Sequence, residues 1–194
     1  MTDSSGEDVG RGGAEGSGAK ARGEPPGATT TIVLMGVSGS GKSSVMRKLA
    51  RGLEWPAAEG DAFHSPENVE KMRNGVPLTN GDRLPWLEAL AAWIGERERA
   101  GENALVTCSA LKREYRDRLR RGHPSVWFVH LVAGRSALAA RVERRRGHYM
   151  PASLLTSQLD TLEPLAPDEP GITLSTEMSK ARAIQVIVAR MPRR

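Results

Sequence analysis

The chain has 194 residues, 39% hydrophobic and 26% charged, a globular balance sized for one domain. A net charge of +5 and a pI of about 9.8 point to anionic ligands. The single cysteine, Cys108, excludes an internal disulfide and a multi-cysteine metal cluster and fits a reducing, cytoplasmic setting. No apolar run approaches the roughly 20 residues of a membrane span, and the N-terminus lacks the apolar core of a secretory signal.

Residues 1–28 hold eight of the 21 glycines, no aromatic residue and one larger aliphatic, Val9. Such a segment cannot bury enough surface to offset its ordering entropy, so it reads as a disordered tail. It carries a charge of −2, which leaves +7 on residues 29–194. Residues 30–35 (TTIVLM) form a β-branched apolar run, the pattern of a buried parallel strand. A helix is expected over 43–53 and a short strand over 57–59. Ser65-Pro66-Glu67 has the cap, proline and acid of a helix start. Asp82 opens a further helix, with Pro85 in its first turn and Leu84, Leu87, Leu90, Ala91 and Ile94 at helical spacing. Strands follow at 104–108, 126–132 and 171–174, and helices at 112–121, 136–146 and 179–191. This alternation predicts an α/β fold of three layers, a parallel sheet covered by helices on both faces.

Gly36-Val37-Ser38-Gly39-Ser40-Gly41-Lys42-Ser43 matches G-x-x-x-x-G-K-[ST] between an apolar strand and a helix, the context this phosphate-binding loop requires. Glycines let the backbone curl so that N–H groups point inward, and the helix N-terminus, with Ser44 in its first turn, adds positive potential. Lys42 supplies a full charge for the β- and γ-phosphates of ATP, and the Ser43 hydroxyl can hold Mg²⁺. The loop alone specifies a nucleotide rather than a reaction. The guanine-reading N-K-x-D motif is absent and the chain is short for a motor, which favours a small-molecule kinase.

The acceptor side begins at Glu59-Gly60-Asp61-Ala62-Phe63-His64, at the carboxyl end of the second strand, where ligands bind in open α/β sheets. Asp61 can take the proton of an attacking hydroxyl or hold a water of Mg²⁺, and His64 can bond the acceptor. Lys71, Arg73 and Arg83 lie in or beside a glycine-containing flap over about 62–85. Arg83 is the favoured partner for a substrate carboxylate because its guanidinium can bind it bidentately, with Lys71 second. At the end of the third strand, Ser109 can cap the next helix, bind a sugar hydroxyl, or both, and Lys112 can reach substrate or solvent. No acid ends that strand, which leaves the metal to Ser43, water and Asp61.

Arg141, Arg144, Arg145 and Arg146 precede Gly147-His148-Tyr149-Met150-Pro151, and Arg141 and Arg145 share one helix face. Arginine above a transferring phosphoryl group balances its equatorial charge, so Arg145 is read as a phosphate contact and Arg141 as lying nearer the adenine. A segment over about 146–157 suits a lid that excludes water.

Taken together, G-V-S-G-S-G-K-S, E-G-D-A-F-H, N-V-E-K-M-R-N-G-V-P-L, D-R-L-P-W-L, C-S-A-L-K-R-E-Y-R-D, R-R-G-H-Y-M-P and S-Q-L-D-T-L-E-P resemble the bacterial and eukaryotic gluconokinases from about residue 31 to residue 174. The resemblance implies a P-loop kinase fold like those of shikimate and adenylate kinases. It further implies ATP, Mg²⁺ and D-gluconate as ligands and a homodimer. By that likeness Asp61 is the catalytic aspartate, Arg83 the substrate arginine, and Gln158 part of the segment that closes on the acceptor. Thr79-Asn80-Gly81 departs from the more acidic stretch usual before Asp82. Two rivals remain at this stage: a kinase for another small acceptor such as shikimate, and a non-catalytic nucleic-acid-binding P-loop protein. The second is disfavoured by an aromatic content of 4%, which leaves few stacking platforms.

Overall fold

Strand β1 (Thr31–Met35) is buried at every residue, and its side chains alternate between two cores. Ile32 and Leu34 join Val45, Leu49, Val129, Leu131 and Ile187 beneath helices α1 (Lys42–Leu53) and α7 (Lys180–Arg190). Val33 and Met35 join Trp86, Leu87, Leu90, Tyr115 and Phe128 beneath α3 (Asn80–Arg99) and α4 (Arg113–Arg120) on the other face. Each fully buried leucine here contributes roughly 1.5–3 kcal/mol. The computed structural model describes residues 28–144 and 153–192.

β1 pairs in parallel with β3 (Ala104–Thr107) on one side and β4 (Val126–Val132) on the other. β2 (Ala57–Glu59) lies outside β3 and β5 (Gly171–Ser175) outside β4, giving a five-stranded parallel sheet of order β2-β3-β1-β4-β5. This is the three-layer α/β arrangement expected from the alternation of elements. The connections leave β1 toward β2 and return across it toward β4, so a crevice opens at the carboxyl ends of the central strands.

Several boundaries differ from the sequence reading for local reasons. Thr79, not Asp82, caps α3: Thr79 Oγ1 accepts from the Asp82 N–H, and the Asp82 carboxylate accepts from the Thr79 N–H. Asp82 is therefore the third residue of the helix, and Pro85 falls in its second turn. Ser65 does cap α2 (Pro66–Arg73), as read. Ser109 does not cap α4, whose N-cap is Lys112 with no side-chain cap bond. Between α5 (Arg135–Glu143) and β5 the chain forms α6 (Ser153–Thr161), which the sequence reading had left within and just after the lid segment.

Candidate active site

The loop after β1 takes its shape from positions only glycine fits well. Gly36 has φ +132, and a Cβ there would stand 2.6 Å from the Leu131 carbonyl oxygen. Gly41, at φ +93, is the N-cap of α1 and leads into Lys42, Ser43 and Ser44. The Lys42 ammonium lies back along the loop, donating to the Gly36 and Val37 carbonyls at 2.9 and 3.0 Å. A phosphate arriving in the curl offers it a stronger, charged acceptor.

Across the crevice, β2 ends at Glu59 and a 3₁₀ turn over Gly60–Phe63 carries Asp61. The turn is held from two sides. The Gly60 N–H donates to Thr107 Oγ1 at 3.0 Å, and the Gly60 carbonyl accepts from the Trp86 indole at 2.7 Å. Any side chain at Gly60 would drive a Cβ into the Thr107 carbonyl oxygen. Asp61 is thus an exposed carboxylate on a rigid support, and it lines the same cleft as Ser38, Lys42, Ser43, Arg83, Ser109 and Gln158.

His64 also lines the cleft and stacks on Trp86, with ring centroids 4.3 Å apart and planes 15° from parallel. Burial lowers its pKa to about 4; Asp61 opposes the shift and Arg83 adds to it. At neutral pH it is an uncharged imidazole. Arg83 donates to the Leu78 carbonyl, and its guanidinium lies 5.7 Å from the centre of the Tyr115 ring. Ser109 is fixed through its carbonyl, which accepts from the Gly36 N–H at 3.2 Å and so ties the acceptor side to the phosphate loop.

Other sequence candidates stand elsewhere. Lys71 is bound to Asp82 at 2.7 Å on the outer side of α2, and with Thr79 it holds the Asp82 carboxyl down to about 2. Lys112 lies 3.3 Å from Glu114 Oε1 and 3.4 Å from Asn80 Oδ1 and is not among the residues lining the cleft. Arg141 donates to Thr176 Oγ1 at 2.9 Å and to the Gly39 carbonyl at 3.4 Å. It flanks an apolar pocket of about 310 Å³ formed by Val45, Leu131, Met178 and Ala183 beside Gly39, Ser40, Gly41 and Ser44. Arg145 lies outside the described residues.

Glu59 was missed as a site residue. Its Oε2 accepts from Ser43 Oγ at 2.9 Å and from Thr107 Oγ1 at 2.8 Å. The acid absent from the end of β3 is supplied by the neighbouring strand, with Thr107 at the β3 position bonding to it. The signal was present as a second carboxylate two residues before Asp61. For Mg²⁺ these residues fit: a hydroxyl and a carboxylate side by side are the oxygen donors a small hard cation takes alongside phosphate and water. Among the described residues no three His, Cys, Asp or Glu side chains cluster as a metal cage.

Comparison with known proteins gives a consistent result. A family model described as an AAA domain matches residues 32–165. A gluconokinase of Gluconobacter oxydans is 53% identical over 146 residues, covering 75% of this chain and 82% of that protein. The unliganded crystal structure of a sugar kinase from a Janibacter species superposes with a TM-score of 0.80 at 49% identity, covering 84% of this chain and 94% of that one. A gluconokinase structure from Sinorhizobium meliloti gives a TM-score of 0.73 at 45% identity, over 84% and 92% of the two chains.

Proposed function

This chain belongs to the gluconokinase family of P-loop kinases, and from that premise we propose that it moves the γ-phosphoryl of ATP onto the primary hydroxyl of D-gluconate, giving 6-phosphogluconate and ADP, with Asp61 as the base. The observation that carries the reading is that Asp61 and Lys42 line one cleft. A phosphate-binding lysine and an acid facing it are what an in-line transfer to an alcohol needs.

In this reading the loop amides and Lys42 grip the β- and γ-phosphates. The apolar pocket beside Arg141 takes the adenine. Asp61 orients the acceptor hydroxyl and removes its proton as the oxygen attacks phosphorus. His64, neutral and stacked on Trp86, bonds a sugar hydroxyl without adding charge. Arg83 pairs with the sugar-acid carboxylate, and Ser109 and Gln158 line the acceptor's path. When bound, Mg²⁺ neutralises charge on the phosphates, and Ser43 and Glu59, directly or through water, are the residues to hold it. Residues 62–85 then serve as the acceptor flap and 146–157 as the lid, with residues 1–28 a tail outside the kinase domain. Arg145, which lies outside the described residues, is assigned in this proposal to balancing charge on the transferring group. The family likeness extends the proposal to a cytoplasmic homodimer. No helix among the described residues is long and apolar enough to cross a membrane.

An ADP-release assay over a panel of acceptors tests the reading. Gluconate should drive ATP turnover well above the rate without acceptor, while shikimate and nucleoside monophosphates should not. Turnover with one of those and none with gluconate sinks the named acceptor, and failure to bind ATP sinks the whole assignment.

A further inference from the structure

We propose that Gln158 is a positioning residue: it locks helix α6 to the phosphate loop through the Ser38 amide and so helps set where the loop holds the transferring phosphoryl group. This rests on the nucleotide-binding half of the reading above and needs no particular acceptor. Gln158 Oε1 accepts from the backbone N–H of Ser38 at 2.7 Å, bridging 120 positions of sequence.

The surroundings explain why that bond matters. Along α6, Leu155, Gln158 and Leu159 recur three and four residues apart and share a face. Leu155 is buried, and Leu159 partly so, in a cluster around Val37, the loop residue just before Ser38. Gln158 on that face is half-buried, and its amide oxygen is committed to the loop. Apolar contacts let a helix slide along its partner, whereas an amide bonded to one backbone N–H accepts a single register. Gln158 supplies that register.

The loop is also braced by α5, whose Leu138 and Val142 join the same cluster. A Cβ at Gly39 would stand 3.0 Å from Val142 Cγ2 and 3.1 Å from the Leu138 carbonyl oxygen. Arg141 also donates to the Gly39 carbonyl. Ser38, between these contacts, lines the cleft together with Lys42, Ser43 and Asp61. A displacement of about 1 Å in a reacting group can cost about 100-fold in rate, so the loop's seating against α6 bears directly on turnover. The same side chain, read as a direct contact to the acceptor, predicts a different kinetic pattern.

The experiment uses Gln158→Leu and, as a second variant of similar length, Gln158→Met. Four quantities are measured: calorimetric affinity for a non-hydrolysable ATP analogue without acceptor, kcat, the KM of gluconate, and the Ser38 amide signal in a ¹H–¹⁵N spectrum. Loss of one hydrogen bond predicts a fall in nucleotide affinity of about 3- to 10-fold and a fall in kcat of about tenfold or more. The KM of gluconate should stay within about twofold, and the Ser38 amide should shift upfield. A raised acceptor KM with unchanged nucleotide affinity overturns the proposal in favour of direct acceptor contact. Unchanged affinity and kcat with only a lower Tm overturns it in favour of a purely structural role. The affinity and amide readouts need no acceptor, so they decide the matter even where the acceptor proves to be another alcohol.

Discussion

The Ser43 hydroxyl and the Glu59 carboxylate face each other at 2.9 Å, joining the end of the phosphate loop to the end of β2. The hydroxyl donates its proton to the carboxylate, which leaves its lone pairs directed away from Glu59 and available to a cation. Thr107 donates to the same carboxylate oxygen and fixes it. Glu59→Gln keeps the shape and removes the charge. It should lower kcat by about tenfold or more, on the scale of a lost preorganised charge contact, and raise the Mg²⁺ concentration needed for half-maximal rate. A Mg²⁺ titration of initial rates checks this, and an unchanged titration midpoint counts against Glu59.

Asp61→Asn and Lys42→Ala address the two sides of the cleft separately. Each should lower kcat by at least about 100-fold, as expected for a positioned acid–base or phosphate-binding group. Lys42→Ala should also weaken nucleotide binding, whereas Asp61→Asn should leave it nearly intact if, as proposed, Asp61 serves the acceptor. Steady-state kinetics with parallel nucleotide titrations separate the two. Near-normal turnover of Asp61→Asn removes it as the base.

Much of this was legible in the chain. The loop motif fixed the strand–loop–helix unit because its glycines answer a geometric need that the structure shows at Gly36 and Gly41. Strand runs such as 126–132 were read at their observed limits because continuous burial leaves a continuous apolar pattern. What stayed hidden depends on neighbours across the sheet. The role of Glu59 comes from β2 lying beside β3, a pairing that no local pattern encodes. Lys71, read as a candidate for the substrate carboxylate, pairs in the fold with Asp82, eleven residues on, a contact the sequence pattern did not indicate. Helix α6 was obscured because its apolar face is interrupted by Gln158, which bonds to the loop.

Gly60 gives a steric test of how Asp61 is held. A methyl group at this position meets the Thr107 carbonyl oxygen, and that backbone belongs to a central strand and cannot readily retreat. Gly60→Ala should therefore move the 3₁₀ turn. It should cost about 1–3 kcal/mol of stability, as overpacking does, and lower kcat with the Asp61 side chain still present. Denaturant unfolding together with kinetics checks both effects. A variant of wild-type stability and turnover means that the turn relaxes more easily than its two anchors imply.

The buried Arg116–Glu169 pair fastens the chain after α6 to α4 and the connection that precedes it. The guanidinium, 1% exposed, bonds both carboxylate oxygens at 2.6 and 2.8 Å and reaches the carbonyls of Ala110, Glu163 and Pro164. Glu169→Ala leaves a buried cation without its partner and should cost about 3–5 kcal/mol. Replacing both residues with apolar ones, as in Arg116→Met with Glu169→Leu, should recover part of that loss. Chemical denaturation of the single and double variants measures it, and a double variant weaker than Glu169→Ala would show that the carbonyl contacts dominate.

His130 sets a pH dependence of stability. It lies on β4, opposite Met35 of β1 and Thr173 of β5, and it is 2% exposed with neither ring nitrogen hydrogen-bonded. Burial lowers its pKa to about 4, and the Arg116 charge pushes the same way. The unfolded chain binds a proton at this imidazole below about pH 6.5, while the native protein resists until about pH 4. The contribution is therefore complete above pH 6.5 and is lost as pH falls through that window. A shift of this size corresponds to about 3 kcal/mol. His64, lowered to a similar value, adds a contribution of the same sign, smaller because that ring is only half-buried. Unfolding free energies measured between pH 4 and 7.5 should rise with pH, and His130→Phe should flatten the rise. An unchanged slope in His130→Phe would place the source of the acid sensitivity elsewhere in the fold.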